Sequence, residues 1–251
     1  MDKNKDNETQ IGMNRTGAQT SPFDTGEMLE DARQLTDEEI RTKTNMDLSA
    51  VRKQYFKLAE PVGSVPIPAS LTGLVKTAAD TIKGLSPEIF IDKLSERLAF
   101  ERTGVRLYDA LITKCEAAKA ELPLQTLVRF RAEEHQHFDL LTRVIRDLGA
   151  DPTAQTPGAD VTAVSAMGLI QVVSDPRTTV AHCLQAILTA ELADHEGWEL
   201  LIQLAEQMNQ PEAASDFRKA LAEEENHLTQ IRDLYQEITF WELGGSPSQR
   251  H

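Results

Sequence analysis

The stretch Glu134-His135-Gln136-His137 has a counterpart ninety residues further on, Glu224-Glu225-Asn226-His227. In each, a glutamate and a histidine stand three residues apart, which places them on one face of a helix. One such face offers a carboxylate oxygen and an imidazole nitrogen to a common point. Two more glutamates keep the same register. Glu101 precedes Glu134 by 33 residues, and Glu191 precedes Glu224 by 33. Tyr108 and Trp198 are again ninety residues apart. The second half of the chain therefore repeats a helix pair found in the first.

Working outward, prolines mark the helix boundaries. Proline breaks a helix interior but suits its first position. Ser86-Pro87-Glu88 and Asp175-Pro176 each read as an N-cap followed by the first helical residue, and Asn209-Gln210-Pro211 reads as a turn into a new helix. Gly149 and Gly244-Gly245 read as stops. The spacing predicts four helices, at about 87–118, 123–149, 177–208 and 211–240. Short turns within each pair make its members antiparallel. The crossing between the pairs, about 150–176, carries an apolar patch, Ala166 to Ile170, expected to form a short helix.

Each helix carries a stripe with steps of three and four residues, one face of a packed bundle. The first stripe runs Leu94, Leu98, Glu101, Val105, Tyr108, Ile112, Cys115. The second runs Leu127, Phe130, Glu134, His137, Leu141, Val144, Leu148. The third runs Leu184, Leu188, Glu191, His195, Trp198, Ile202, Ala205. The fourth runs Phe217, Ala220, Glu224, His227, Ile231, Leu234, Ile238. All are apolar except near their centres. An unpaired buried carboxylate costs several kcal/mol, so four at one level of a core demand compensation. Two divalent cations would balance four carboxylates. Carboxylate and imidazole donors without thiolate suit Fe(II) or Mn(II) and argue against copper(I).

One Glu from each of two helices, with Glu-x-x-His from each of two others, resembles the ferritin-like di-iron or di-manganese carboxylate superfamily. Glu101 followed seven residues later by Tyr108, with both 33-residue intervals, is most similar to its rubrerythrin and bacterioferritin branch. The resemblance covers roughly 87–240. It implies an all-α fold, a ferritin-like antiparallel four-helix bundle with one long crossover. It implies two iron ions, or manganese, held by Glu101, Glu134, His137, Glu191, Glu224 and His227. In that pattern Glu134 and Glu224 bridge, and Tyr108 hydrogen-bonds near the site. Asp194, at the place of a further carboxylate in rubrerythrins, and His195 on the third stripe are additional candidates. The implied activity is a cytoplasmic di-iron oxidoreductase of oxidative-stress type. It would react Fe(II) with dioxygen or hydrogen peroxide, as a ferroxidase or as a rubrerythrin-like peroxidase with an external electron donor. Alternatives on the same scaffold are an iron-storage subunit, manganese-type peroxide dismutation, and a metal-poor interaction scaffold.

The chain departs from that branch in three ways. Two cysteines exclude a four-cysteine iron domain of the rubredoxin kind. His135 stands where bacterioferritin carries its haem-ligand Met, so haem is not expected. The crossover is long. Cys115 and Cys183 sit in no CxxC, and Glu133, Glu223 and Glu225 read as solvated charges.

The 251 residues, with 40% hydrophobic side chains, suffice for one sizeable domain. A formal net charge of −14 repels phosphate backbones and attracts cations, so nucleic acid is not an expected partner. No window approaches the ~18 apolar residues of a membrane span, and the start of the chain has no secretory apolar core. A homo-oligomer, at least a dimer, is expected. Residues 1–45 form a polar, acidic arm expected to be disordered. Residues 46–85 are expected to hold short helices (47–60 and 70–84) around a Pro-rich strap. The bundle is expected at 86–242 and a flexible tail at 243–251.

Overall fold

A computed structural model of the chain describes residues 22–35, 48–66, 86–120 and 122–244. The chain divides into two compact units. One is Thr9–Pro61 and the other contains Val62–His251.

The first unit contains α1, Pro22–Leu35, and α2, Leu48–Leu58. Helix α1 lies inside the arm expected to lack structure, and it corrects that expectation over this span. Few large apolar residues spoke against a core there, but charges placed to suit the helix ends give local support. Asp24 in the first turn and Arg33 in the last suit the helix dipole, and Arg33 pairs with Glu30 at 3.5 Å. Helix α2 lies within 47–60, where a short helix was expected. The expectations for the rest of 1–45, for 70–84 and for most of the tail lie outside the described residues.

The second unit is a helical bundle: α3 (Pro87–Ala118), α4 (Leu124–Asp147), α5 (Pro157–Ser174), α6 (Val180–Gln207) and α7 (Pro211–Glu242). Among the described residues no strand occurs. Pro87 and Pro211 open α3 and α7, while Gly149 (φ 82°) and Gly244 (φ 91°) follow the ends of α4 and α7 in the left-handed region. The crossover helix is longer than expected. Pro157 stands at its first turn and the Thr156 hydroxyl accepts from the Ala159 amide, so the proline starts α5 instead of ending a segment. Helix α6 starts later than Asp175-Pro176 suggested. Its cap is Thr179, whose hydroxyl accepts from the His182 amide while the His182 ring accepts from the Thr179 amide. Asp175 instead pairs with Arg177 in the preceding loop.

Two apolar layers fill the bundle. One joins the C-terminal half of α3 (Leu111, Cys115) with the start of α4 (Leu127, Phe130), the start of α6 (Cys183, Leu184, Ile187) and the end of α7 (Ile231, Leu234). The other joins the opposite ends: Leu94 and Leu98, Leu141 and Ile145, Trp198 and Leu201, Phe217 and Ala220. These pairings make α3 antiparallel to α4 and to α6, and α6 antiparallel to α7. Both cysteines are free and buried in the first layer, and burial pushes the Cys115 thiol up to about 12.

The stripes on α4 and α7 hold at nearly every position. Those on α3 and α6 hold at Leu94, Leu98, Glu101, Tyr108 and Cys115 and at Leu184, Glu191, Trp198 and Ala205, and are off by one residue at the remaining positions. Gly104 and Leu111 are buried where Val105 and Ile112 were expected. Ile187, Asp194 and Leu201 are buried where Leu188, His195 and Ile202 were expected. The physical reason is α5, which packs against both α3 and α6. A helix covered on two sides has a broader buried face, centred off the bundle axis. Among the described residues no helix is long and apolar enough to cross a membrane.

Candidate metal centre

Between the two apolar layers lies a polar one. Glu101 from α3, Glu134 and His137 from α4, Glu191 from α6, and Glu224 and His227 from α7 are all at most 2% exposed. The antiparallel pairs bring each 33-residue partner to one level above its turn, so the six side chains converge.

Their contacts fall into two groups that share Glu224. His137 Nδ1 lies 2.8 Å from Glu224 Oε1 and 3.6 Å from Glu101 Oε2. His227 Nδ1 lies 3.3 Å from Glu224 Oε2, 3.6 Å from Glu134 Oε1 and 3.7 Å from Glu191 Oε2. Glu134 also comes within 4.8 Å of the Glu101 side of the cluster. Glu134 and Glu224 are thus the two carboxylates that reach both groups.

The far nitrogen of each ring is held by the other half of the duplication. His137 donates Nε2–H to Glu223, and His227 donates Nε2–H to Glu133, both at 2.7 Å. A carboxylate accepts and does not donate, so the proton is fixed on Nε2 and Nδ1 is turned inward. Glu133 and Glu223 were read from the sequence as solvated charges. Their side chains are 20% and 45% exposed, but each also holds a ring, and the signal was present: the two are ninety residues apart, like the glutamates beside them. Each orients a candidate ligand. Glu133→Gln or Glu223→Gln is therefore expected to weaken divalent-metal binding by about 10–100-fold with little loss of stability, as checked by equilibrium Mn(II) titration beside a thermal melt.

Tyr108, 1% exposed, donates its hydroxyl to Glu191 Oε1 at 2.6 Å and leaves Oε2 facing the cluster. Trp198, its repeat partner, packs edge-on to the His137 ring at 5.4 Å. Asp194 is buried beside the cluster, but its Oδ1 accepts from Arg97 Nη1 at 2.6 Å. His195 is not brought in. Its side chain is 21% exposed and lies 3.9 Å from Glu196 and from Glu225. Between Glu191 and Trp198, both buried as expected, it is Asp194 and not His195 that turns inward.

Gly104 explains how Glu134 fits. A Cβ at residue 104 would stand 2.0 Å from Glu134 Oε2, so the carboxylate occupies the space that any side chain would take. Alanine favours a helix interior over glycine by about 0.5–1 kcal/mol. Gly104→Ala is therefore expected to leave α3 helical and yet displace Glu134. Metal capacity should fall while the helical circular-dichroism signal stays.

The electrostatics are those of crowded like charges. Burial and the neighbouring carboxylates hold Glu134 and Glu191 well above the ordinary range. Glu224, although buried, is drawn down by the imidazoles on either side of it. Burial opposes charge on His227, but Glu224 outweighs it and raises the ring to about 9. His137 is likewise raised, chiefly by Glu101 and Glu223. A cation entering the cluster would displace these protons.

Whether the cluster suits a metal is decided by its orphaned atoms. Both oxygens of Glu101, both of Glu224, Glu134 Oε2, Glu191 Oε2, His137 Nδ1 and His227 Nδ1 are buried without an aligned hydrogen bond, although the two Nδ1 atoms stand 2.8 and 3.3 Å from Glu224. Each such atom costs about 1–3 kcal/mol, and more where charged. They are oxygen and imidazole donors that point at one another. These buried acidic and histidine groups can hold metal ions.

The sequence model of the family described as "Domain of unknown function (DUF892)" matches residues 86–243. That span contains the whole bundle and every residue of the cluster. No curated protein matches the chain.

Proposed function

The chain belongs to this ferritin-like family, and from that premise we propose that it is a dinuclear iron oxidoreductase. In this reading it binds two ferrous ions in the polar layer and brings them to dioxygen or hydrogen peroxide, as a ferroxidase or a rubrerythrin-like peroxidase. The single observation that carries the reading is the set of unpartnered inward donors on Glu101, Glu134, His137, Glu191, Glu224 and His227.

Two ferrous ions, when bound, supply electrons that reduce the oxidant. The rest is work for the protein's own side chains. Glu101 and His137 would hold one ion, and Glu191 and His227 the other. Glu134 and Glu224 reach both groups and would bridge them. Glu133 and Glu223 keep Nδ1 of each ring inward. Tyr108 restrains one oxygen of Glu191 and leaves the other free to change partner. The apolar layers above and below exclude bulk water, which strengthens each of these electrostatic contacts. Peroxidase turnover would need an external electron donor.

The test begins with full-length chain loaded anaerobically with Fe(II). It is then mixed with O2 or with H2O2 and oxidation is followed optically. Rapid oxidation by either oxidant, faster than that of free Fe(II) in the same buffer, is the expected result. Oxidation at the rate of free Fe(II) would contradict the proposal. The faster oxidant separates peroxidase from ferroxidase.

A further inference from the structure

The two halves of the bundle are not equivalent around the cluster. Position 104 in the first repeat is glycine, while its counterpart in the second is Asp194. Asp194 adds a fifth buried carboxylate beside Glu101, Glu134 and Glu224. Its partner comes from the first repeat. Arg97, 5% exposed, donates Nη1–H to Asp194 Oδ1 at 2.6 Å and to the Asp194 carbonyl at 2.9 Å. Its Nε lies 3.5 Å from Glu101 Oε1 and has no hydrogen-bond partner. Gly197 makes this possible, because a Cβ there would stand 2.3 Å from Arg97 Nη1. The guanidinium also lies 4.3 Å over the Phe100 ring and lines a cavity of about 190 Å³ with Lys93 and Thr162. The chain has reserved space, a salt-bridge partner and an aromatic face for one buried cation.

We propose that Arg97 is a permanent counter-cation of the cluster, whose charge sets how tightly the centre binds divalent metal. The two imidazoles can give up their protons when a cation enters. A guanidinium cannot, so Arg97 stays charged whether the centre is empty or filled. Five buried carboxylates against one guanidinium leave four negative charges, the number that two divalent ions neutralise. Arg97 therefore cancels Asp194 and repels incoming cations through Glu101, the candidate ligand it touches. In this account Asp194 is held by Arg97 and is not a metal ligand. The inference rests on the metal-centre reading above.

The charge balance fixes the order of affinities. Arg97→Met leaves five negative charges, and it should bind Mn(II), a redox-quiet probe, about tenfold or more tighter than wild type. The metal-free form should lose stability, its melting point falling by roughly 10 °C, because Asp194 is left buried and unpaired. Asp194→Asn leaves three charges and should bind Mn(II) about tenfold weaker. The double variant restores four and should return to the wild-type affinity. Arg97→Lys keeps the cation and should also stay close to wild type.

The experiment is equilibrium Mn(II) binding to the full-length chain and these variants, with melting curves in the presence and absence of metal. A merely structural Arg97 would make removal weaken binding, so tighter binding is the supporting sign. Equal or weaker binding by Arg97→Met would overturn the proposal. If that variant does not fold, the double variant must still bind more tightly than Asp194→Asn, and failure of that comparison overturns it equally. A double variant as weak as Asp194→Asn would make Asp194 a ligand and contradict the assignment. A wild-type chain that takes up no Mn(II) or Fe(II) would remove the metal-centre reading itself. A wrong order among variants that do bind would remove only the role of Arg97.

Discussion

Glu134→Gln is expected to make the metal-free protein more stable and to abolish binding of a metal pair. The two effects share one cause. Glu134 is buried among Glu101, Glu191 and Glu224, with one oxygen in the space left by Gly104 and no partner for it. Its carboxyl is held well above the ordinary range by burial and by Glu224 and Glu101. A group whose folded-state pKa exceeds its unfolded value makes stability fall as pH rises. The loss begins near the unfolded glutamate value of about 4.3 and continues until the folded value is passed. Gln has the same shape and no charge, so the repulsion disappears. The gain is about 1.4 kcal/mol for each unit by which the folded-state pKa exceeds the unfolded one. Urea unfolding of metal-free protein across pH 4–8 should show a higher midpoint and a flatter pH dependence for the variant. Metal titration of the same samples should show that the variant no longer takes up a pair of ions. Lower stability in the metal-free variant would contradict the crowding argument.

Trp198→Ala is expected to give the largest loss of stability among core substitutions near the centre. Trp198 is fully buried, packs against the Phe217 ring at 5.5 Å and stands edge-on to His137. Truncating a buried Trp or Phe to Ala costs about 3–5 kcal/mol. For a chain of this size that lowers the melting point by roughly 10 °C. Trp198→Phe should cost far less, because the indole Nε1–H has no hydrogen-bond partner to lose. The two variants thus separate packing from polar contributions. A loss as large in Trp198→Phe as in Trp198→Ala would show that the indole nitrogen has a partner in solution.

The fold and most of the centre were legible because one constraint wrote itself twice. Glu-x-x-His needs a helix to bring its ends together. Equal 33-residue intervals need antiparallel helices to bring four glutamates to one level. Each repeat checks the other. What escaped was information that is not periodic. His195 and Asp194 are neighbours in sequence, and only the packing of α5 decides which of them turns inward. Glu133 and Glu223 lie just off the inward stripe, where a charge ordinarily meets water. They were misread because their partners come from the opposite repeat. Arg97 and Gly197 form a match between two helices, 100 residues apart, that the ninety-residue repeat does not copy. The thread in 22–35 was hidden for the opposite reason. Its helix rests on local propensity and charge placement, which leave no apolar pattern.

Whether the buried layer of four glutamates and two histidines takes up a pair of metal ions is measured by anaerobic equilibrium binding of Fe(II) to the full-length chain, beside Glu134→Gln. Two ions per wild-type chain and loss of that capacity in the variant, with both proteins folded, is the expected result. No binding by the wild type, or binding indifferent to residue 134, would contradict it.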